Sequence, residues 1–589
     1  MSSHSLSFSG SSAFKDFITT ICSDAPVTFI LGAGVSIEAG LPSWESLLEQ
    51  LALPILRDRN SSGLYELICA EEPEPTRRAE MILEKRSEQT ALDSLHNITA
   101  ALYKTKLNKG GSLLSSLAKL LLKLNKRVKV ITTNYDDCLE YALREAGKLE
   151  ATDIKVFGID DFDAWSSCDG IGILHIHGLI PRGDSLWGSV MPVILTEGQY
   201  IEYGARVQDI IRRQAECSHC IFVGSSLTDA NTTHPLSSGY RAGDIKQAFA
   251  LMVPSERSAF ELTEKRMAQG IPDDQIPEVD DLVDAYFDFR LKHINNVYRT
   301  SVIRLKSYSQ VTQCIQEAIV ALNNPSGYMD DDPKNSSRYG FRLGRIMRDI
   351  YNRFDIKDGG IAPGNGASVA VSDALENLLT EIIKPKLDSL YSQNLEAYRK
   401  SMREKIKVTR VPKEKLAEPY ESENFGLHLW LRVFEDGRNA PFEVFLVGSS
   451  SYSRRDGNIM TQCSPISWRS VYASARSVYS GSFELLSPSR NVNNLDRPWN
   501  MYMAVPIAIS ERDLFSASSE GRVIVGALVL QTSKYDMLPG EEFDCGFHSI
   551  LSLISSSGSE SEQLNDLGNL LSECGADLVK TFNSRDSAK

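Results

Sequence analysis

Six short runs rich in β-branched and aromatic residues recur along the first half of the chain, and long amphipathic stretches separate them. The runs cover Val27–Leu31, Val128–Thr133, Ile171–Ile176, His219–Ser225, Phe249–Val253 and Ser301–Leu305. Helical periodicity marks Ser112–Leu124, Glu202–Ala215 and Val311–Leu322. Strands that alternate with helices are typical of a parallel sheet covered on both faces. The pattern predicts an α/β domain over residues 21–325, preceded by a flexible segment 1–20.

The remaining sequence predicts further helices and a second sheet. Tyr65–Lys109 is rich in Glu, Arg and Leu without a strand candidate, and we expect a helical insertion there. Asn323–Ser337, a cluster of Pro, Gly, Asp and Ser, predicts a domain boundary. We expect a helical linker region over 326–420 and an α+β domain over 421–589. The helix candidates of the linker region are Phe341–Phe354 and Ala374–Ile406. In the α+β domain the helix candidates are Trp468–Ser480, Phe547–Ile554 and Glu560–Phe582, and the strand candidates are Leu427–Phe434, Phe442–Gly448, Met501–Ile509 and Val523–Gln531.

Composition limits the class of protein. A chain of 589 residues is too long for one hydrophobic core, so several domains are expected. The net charge of −14 disfavours a nucleic-acid coat along the whole chain, although it leaves room for local basic patches. No apolar run approaches the roughly 20 residues that cross a bilayer. The Ser-rich start lacks the basic and apolar parts of a signal peptide, and we therefore expect a cytoplasmic protein.

The ten cysteines are scattered, and only Cys217 and Cys220 have the spacing of metal ligands. A structural zinc site normally needs a second such pair, which the sequence lacks. We therefore expect no metal.

A glycine-rich turn follows the first predicted strand in VTFILGAGVSIEAGLPSW. Gly32, Ala33 and Gly34, with Ser36 close behind, suit a loop whose backbone approaches a pyrophosphate. The spacing departs from the usual dinucleotide fingerprint, because six residues rather than three lead from Gly34 to Gly40. A tight structural turn explains this loop equally well.

Polar groups also follow three other predicted strands, in Thr132–Asp136, His175–Gly178 and Gly224–Asn231. Open α/β sheets bind ligands at this edge. Each segment has a plain structural alternative. Asn134 and Asp136 suit a helix cap, His177 suits a satisfied core histidine, and the third segment suits a turn. Together with the glycine loop they favour a binding site.

In this order, GAGVSIEAGLPSW, TTNYD, HIHG and VGSSL with a following Asp resemble the motifs of the sirtuin-like NAD-binding domain. The resemblance covers about the first 320 residues and is closer to the branch found in bacterial anti-phage defence effectors. It implies a Rossmann-like sheet that binds NAD as substrate and cleaves the nicotinamide–ribose bond. It implies catalytic roles for His177, Asn134 and Asp136: His177 as the base, Asn134 at the nicotinamide ribose and the water, and Asp136 near the nicotinamide. The implied NAD contacts are Gly32, Ala33, Gly34, Ser36, Thr133, Gly224, Ser225, Ser226 and Asp229, with Asn231 as a supporting residue.

The chemistry agrees with these residue types. Breaking an N-glycosidic bond develops oxocarbenium character, so positioning and charge compensation matter more than a strong nucleophile. An imidazole accepts a proton from a ribose hydroxyl or water near neutral pH. His175 lies two residues from His177, and we favour His177 because glycine follows it.

Two other functions remain open. Classical deacylating sirtuins carry a four-cysteine zinc module, which this sequence lacks, and this disfavours lysine deacylation. A sensor that binds NAD or ADP-ribose with little catalysis would use the same pocket, but it has no need of the pair Asn134 and His177.

The second half of the chain is expected to control the first. Trp499–Tyr535 resembles the strand–loop–strand core of GAF-like domains, which bind small ligands or pair with one another, and a plain dimerisation module is the alternative. Two basic runs upstream suit either a solvated helix face or a trigger site for an anionic nucleotide or nucleic acid. The runs are Arg338, Arg342, Arg345 and Arg348, and Arg399, Lys400, Arg403, Lys405, Lys407 and Arg410. The resemblance also implies a homo-oligomer, and a phage or partner protein remains an alternative trigger.

Overall fold

The computed structural model describes residues 8–37, 39–57, 63–89, 94–103, 112–242, 246–254, 276–332, 334–356, 366–394, 424–433, 443–450, 466–467, 484–486, 501–514, 521–532, 550–551, 554 and 560–582. The chain divides into two compact units. The first is formed by Phe8–Ala259 together with Asp280–Pro325, and the second includes Ser326–Lys589. No helix in the described ranges is long and apolar enough to cross a membrane.

The first unit is built on a seven-stranded parallel sheet in the order β3-β4-β2-β1-β5-β6-β7. The strands are β1 (Val27–Leu31), β2 (Val128–Thr132), β3 (Lys155–Gly158), β4 (Gly172–His175), β5 (His219–Val223), β6 (Ala248–Met252) and β7 (Thr300–Arg304). All six predicted strands are confirmed to within one or two residues at each end. Strand β3 was not foreseen, because its four residues KVFG are partly exposed and form no apolar run.

Helices cover the sheet. They are α1 (Ser12–Cys22), α2 (Gly34–Ile37), α3 (Trp44–Arg57), α4 (Leu64–Glu71), α5 (Pro75–Gln89), α6 (Ser94–Leu102), α7 (Ser112–Leu124), α8 (Cys138–Gly147), α9 (Phe162–Ser167), α10 (Glu197–Cys217), α11 (Ala230–Ala242), α12 (Ile276–Tyr298) and α13 (Tyr308–Asn323). Short 3-10 turns occur at Phe8–Gly10, Asn125–Arg127, Ala151–Asp153 and Ile159–Asp161. The predicted helical insertion is confirmed by α4, α5 and α6, and its residues 104–109 lie outside the described ranges.

The N-terminal segment corrects one prediction. Residues 1–20 were expected to be flexible, but α1 begins at Ser12, with the Ser11 side chain capping it. Phe14, Phe17 and Ile18 are buried, and the Phe17 ring contacts that of Phe249 on β6 with centroids 5.9 Å apart. The Ser-rich composition hid this short apolar face, whose spacing is helical.

The two faces of the sheet have separate partners. Ile30, Leu174 and Phe222 point into a core completed by α10 and α12. Across the sheet, α7 packs against α8 and α13, and α1 packs against α13. This is the predicted α/β class, with the strands buried on both faces.

The strand order reverses at the centre of the sheet. From β1 the chain moves to β2 on one side, and it later returns to β5 on the other side of β1. Open α/β sheets bind ligands at the carboxyl edge near such a reversal. Here that part of the edge carries the loops that follow Leu31 and Val223.

The second unit combines helices with a six-stranded antiparallel sheet in the order β10-β9-β8-β13-β12-β11. Its strands are β8 (Phe425–Arg432), β9 (Glu443–Ser449), β10 (Ile466–Ser467), β11 (Glu484–Leu486), β12 (Met501–Ser510) and β13 (Arg522–Thr532). Its helices are α14 (Pro325–Met329), α15 (Tyr339–Arg353), α16 (Gly366–Leu378), α17 (Glu511–Leu514) and α18 (Glu560–Thr581), and a π-helical segment, Leu379–Ile383, follows α16. One face of the sheet forms a common core with α15, α16 and α18.

The four predicted strands of this unit are confirmed, as are the helices at Phe341–Phe354 and Glu560–Phe582. The helix predicted over Ala374–Ile406 is present as far as residue 394 and begins earlier, at Gly366. Trp468–Ser480, most of Phe547–Ile554 and residues 395–406 lie outside the described ranges. The likeness to a GAF-like domain stays a prediction.

Candidate active site

The polar residues singled out in the sequence follow β1, β2, β4 and β5, four strands that are consecutive neighbours in the sheet. Because the strands are parallel, their carboxyl ends meet at one edge. Asn134, Asp136, His177 and Ser36 are all at least nine-tenths buried there. Burial of so many polar groups is unfavourable unless each finds a partner.

A chain of hydrogen bonds joins the first two loops. The Asn134 side-chain amide donates to Ser36 Oγ over 3.1 Å, and Ser36 Oγ donates to Asp136 Oδ1 over 3.1 Å. The same carboxylate oxygen accepts from the Cys138 backbone amide at 3.0 Å. Burial raises the pKa of Asp136, while the bonds from Cys138 and Ser36 oppose the shift. The Asp136 carboxyl group therefore holds the Ser36 hydroxyl in place and, through it, the Asn134 amide.

This network sets the orientation of the Asn134 amide. The Asn134 NH₂ group can only donate, so Ser36 Oγ accepts from it and gives its own hydroxyl proton to Asp136. The Asn134 carbonyl oxygen then points the other way. Among the described residues Oδ1 is buried without a hydrogen-bond partner. It is an oriented acceptor available to a hydroxyl or a water.

His177 supplies a second unpaired atom. Its side chain is buried, Nδ1 lies 3.4 Å from the Tyr200 hydroxyl, and Nε2 has no partner in the described part of the chain. Burial lowers the pKa of His177 to about 4, with a hydrogen bond to the Thr133 backbone opposing it. The ring is therefore neutral at pH 7. A neutral imidazole with its proton on Nδ1 presents a lone pair at Nε2.

His175 has a different role from His177. Its Nδ1 lies 3.1 Å from the Asn134 backbone oxygen, and its Nε2 lies 2.8 Å from Glu140 Oε1. Both partners are acceptors, so both ring nitrogens donate and the imidazolium form is favoured. Burial lowers the pKa of His175, but the Glu140 carboxylate, the Asn134 backbone and Asp136 together outweigh it, and the net shift is upward. His175 thus holds the backbone of Asn134 in place.

The glycines pack the central loops against each other. Gly32 N–H donates to the Val223 carbonyl at 3.0 Å, and Gly34 N–H donates to the Gly224 carbonyl at 2.9 Å. A Cβ at Gly32 would lie 2.6 Å from the Gly224 carbonyl oxygen. Gly224 has φ 67°, and a Cβ there would lie 2.6 Å from Val35 N. The structural-turn alternative therefore explains Gly32, Gly34 and Gly224 directly.

Ala33 and Thr133 lie at the same edge. Ala33 is exposed at the tip of the first loop. Thr133 is half-buried, and its N–H and Oγ1 both donate to the Leu31 carbonyl, at 3.0 and 3.2 Å. These bonds tie the β2 loop to the end of β1.

The loop after β5 carries the remaining predicted residues. Ser225 Oγ accepts from the Leu227 amide at 3.3 Å, and Ser226 Oγ bonds with Thr228 Oγ1 at 2.6 Å. Asp229 Oδ1 accepts from the Asn231 amide at 2.9 Å, whereas Oδ2 has no partner among the described residues. Burial raises the pKa of Asp229, and its charge helps raise that of Tyr200. Asp229 is therefore near the Tyr200–His177 contact.

Glu140 and Tyr200 were missed in the sequence. Glu140 lies on α8, 35 residues before His175, and Tyr200 lies on α10, 23 residues after His177. Neither belongs to a recognisable motif. One available signal was a Glu inside an otherwise apolar stretch of α8, where it is completely buried.

Two other sequence features do not form sites. In the described ranges no group of three or more His, Cys, Asp or Glu side chains is arranged to hold a metal ion. Cys217 is exposed, whereas Cys220 is buried in β5. The first basic run is largely engaged within its own unit. Arg342 is fully buried and donates to the Ser337 carbonyl, Arg345 pairs with Glu511 at 2.5 Å, and Arg338 pairs with Asp331 at 2.9 Å.

In the first run Arg342 is buried, Arg338 and Arg345 are half-buried and paired, and Arg348 is exposed, so the run is not a uniformly solvated helix face. A role of this run in binding an anionic trigger stays a prediction. The second run lies outside the described ranges.

Comparison with known proteins identifies the domain. Residues 128–270 match the family model described as "SIR2-like domain". A curated relative, "NAD(+) hydrolase ThsA" of Bacillus cereus (strain MSX-D12), is 24% identical over 319 residues, which are 51% of this chain and 55% of the relative. The match thus spans about half of the relative's length. A solved structure titled as a Sir2 homolog–NAD complex is 16% identical and covers 41% of this chain and 83% of its own, with a TM-score of 0.21.

The predicted sirtuin-like domain is confirmed by the family match, which includes Asn134, Asp136, His177 and the loop after β5. The glycine loop at Gly32–Gly34 precedes the matched segment. The family and the relative together support an NAD-related function.

Proposed function

We propose that this chain binds NAD at the carboxyl edge of the parallel sheet and hydrolyses it to nicotinamide and ADP-ribose. The observation that carries the proposal is a pair of buried atoms in a SIR2-like domain, Asn134 Oδ1 and His177 Nε2, that have no hydrogen-bond partner in the described part of the chain. The residues fit the substrate, because a ribose offers hydroxyl donors to both atoms.

The hydrogen bonds indicate a separate role for each residue. Asn134 Oδ1 accepts from a ribose hydroxyl or from the attacking water, and the Ser36–Asp136 pair holds it in that orientation. His177 Nε2 takes the proton of the water whose oxygen replaces nicotinamide at C1′. NAD supplies a cationic leaving group, and the electron pair of the broken C1′–N bond neutralises it. Placement of these groups therefore matters more than acid catalysis.

The binding roles remain proposals for each predicted residue. Asp229 Oδ2 is buried, has no hydrogen-bond partner within the described ranges and is suited to a hydroxyl, and Ser225 and Ser226 lie in the same loop. Ala33 is exposed where the loop after β1 would meet the phosphates. Gly32 and Gly34 allow that loop to lie against the loop that follows β5. Asp136 supports Asn134 in this scheme.

The second unit is proposed to regulate the reaction. NAD hydrolysis without control would deplete a cell, and this agrees with a cytoplasmic effector of anti-phage defence that acts by abortive infection. The GAF-like likeness makes residues 421–589 the proposed sensor or oligomerisation domain. An anionic nucleotide, a nucleic acid or a partner protein is the proposed trigger.

The test measures nicotinamide release and NAD binding separately on the full chain, with a fluorescent NAD analogue as a second substrate. We expect turnover in the wild type and none in His177→Ala or Asn134→Ala. Ser36→Ala should lose roughly tenfold to a hundredfold in kcat/KM, because the Asn134 amide loses its fixed orientation. His219→Ala, at a half-buried histidine on the first residue of β5, is the matched control. NAD binding without cleavage under every condition would favour the non-catalytic sensor, and cleavage that requires an acylated peptide would favour a deacylase.

A further inference from the structure

Helix α12 has two apolar faces, and only one of them faces the core. Phe287 and Ile294 are buried against the sheet, with Leu291 packed beside them. On the opposite side Leu282, Tyr286, Phe289 and Val297 are 50, 64, 73 and 40% exposed. Single exposed apolar residues are ordinary on a protein surface, but a contiguous row marks a contact surface.

The exposed residues form one continuous row. Together with the exposed His293, their steps along the chain are four, three, four and four residues, which keeps them within a quarter turn of the helix. The row extends for about 22 Å at 1.5 Å per residue. We call this row of Leu282, Tyr286, Phe289, His293 and Val297 the α12 stripe.

The α12 stripe is nearly palindromic about Phe289. If a second α12 runs in the opposite direction with its midpoint at the same place, Leu282 lies opposite Val297 and Tyr286 lies opposite His293. Phe289 then meets its own copy at the axis. A two-fold axis requires a surface to be complementary to itself in this way.

The charges of the helix select the same arrangement. All five acidic residues of α12 precede Phe289, and Arg290, Lys292 and His293 all follow it. A parallel pair would set acid against acid, whereas an antiparallel pair sets the acidic half of one copy against the basic half of the other.

We propose that the α12 stripe is the surface through which two copies of this chain associate, with the two helices antiparallel and Phe289 at the two-fold axis. The neighbouring Arg290 donates a hydrogen bond to the Ser226 carbonyl, so this interface would border the loop that follows β5. The proposal depends on the surface alone and is independent of the reaction proposed above.

The first experiment is sedimentation of the full chain over a range of concentrations. We expect a reversible dimer, or a larger assembly built from such dimers, that Phe289→Asp weakens by roughly a hundredfold because the substitution occurs twice at the axis. Lys292→Glu should weaken it by a smaller factor, about tenfold, since it places a negative charge in the basic half of the helix, which faces the acidic half of the other copy. Leu67→Asp on α4, also at an exposed leucine, is the control and should leave association unchanged.

A second variant tests the geometry without disturbing the fold. Phe289→Cys should form a disulfide with its own copy under mild oxidation, with Leu67→Cys and the wild type giving the background from the native cysteines. A monomeric wild type would overturn the proposal. It would also be overturned by an assembly that Phe289→Asp leaves intact and that yields no Phe289→Cys cross-link.

Discussion

At the scale of single residues, the candidate site depends on two histidines that differ in protonation. His177 is neutral because burial lowers its pKa to about 4, whereas His175 is held charged by Glu140. Of the two rings, only that of His177 has a nitrogen without a hydrogen-bond partner among the described residues, namely Nε2. The sequence HIHG favoured His177 because a glycine follows it. The contacts with Tyr200 and Glu140 supply the physical distinction between the two rings.

The pKa of His177 predicts the acid limb of the pH profile. If His177 is the base, kcat/KM should rise through about pH 4 and be level from about pH 5.5 to neutrality, rather than rising near the usual histidine pKa of about 6.5. A pH series of initial rates checks this, with the His219→Ala variant as control. A limb centred between pH 6 and 7 would show that His177 is solvated in the working site or is not the base.

The same shift has a consequence for stability with a definite sign. The folded pKa of His177 lies below the unfolded value, so the unfolded chain binds more protons between about pH 4 and 6.5. The stabilisation is complete above about pH 6.5 and is lost as the pH falls toward 4. Lowering the pH from about 6.5 toward 4 should therefore reduce the free energy of unfolding even before catalysis stops.

Most residues of the candidate site were predictable from the sequence, but the hydrogen bonds that connect them were not. Five polar residues of the site were predictable because each follows closely after a strand that the sequence predicts. They are Ser36, Asn134, Asp136, His177 and Asp229. Glu140 and Tyr200 reach the site from helix faces, and no local rule pairs them with histidines 35 and 23 residues away. Such contacts depend on how α8 and α10 pack, which is a property of the whole sheet.

At the scale of elements, the two central loops are held together by glycines. Gly32 and Gly224 allow the β1 and β5 loops to approach so closely that a Cβ on Gly32 would overlap the backbone of Gly224 and Ser225. Backbone atoms cannot move aside as a flexible side chain can. A side chain at position 32 would therefore force the two loops to shift together with strands β1 and β5.

We predict that Gly32→Ala destabilises the first unit by about 1–3 kcal/mol, the usual range for overpacking, and abolishes NAD binding. Thermal unfolding and calorimetric NAD titration measure the two effects. Gly188→Ala is the matched control, because a Cβ there meets nothing within 4 Å. Unchanged unfolding and binding in Gly32→Ala would mean that the loops separate readily, contrary to the packing described above.

The elements also show where sequence patterns are informative. The buried parallel strands β1, β2 and β5 are short apolar runs rich in β-branched and aromatic residues, and that composition located them within one or two residues. Strand β3 lies at the edge of the sheet and α1 follows a Ser-rich start, so neither shows a long apolar pattern. Elements that are stabilised mainly by packing against neighbouring elements show only a weak pattern in their own sequence.

At the scale of the whole molecule, the chain combines a parallel α/β unit with an antiparallel α+β unit, each with its own hydrophobic core. The glycine loop and the polar strand ends are confined to the first unit. Separate cores permit separate unfolding, and a ligand stabilises only the unit that binds it.

NAD should therefore protect one unit and not the other. At a concentration 100 times its Kd, NAD should raise the free energy of unfolding of the first unit by about 2.7 kcal/mol. Hydrogen exchange on the His177→Ala variant, which should leave NAD intact, measures this at the amides of β1 and β5. The amides of β8 and β13 serve as the internal control and should exchange at unchanged rates. Equal protection in both sheets would mean that the units unfold as one or that NAD also binds the second unit, and the proposed separation of catalysis from sensing would then fail.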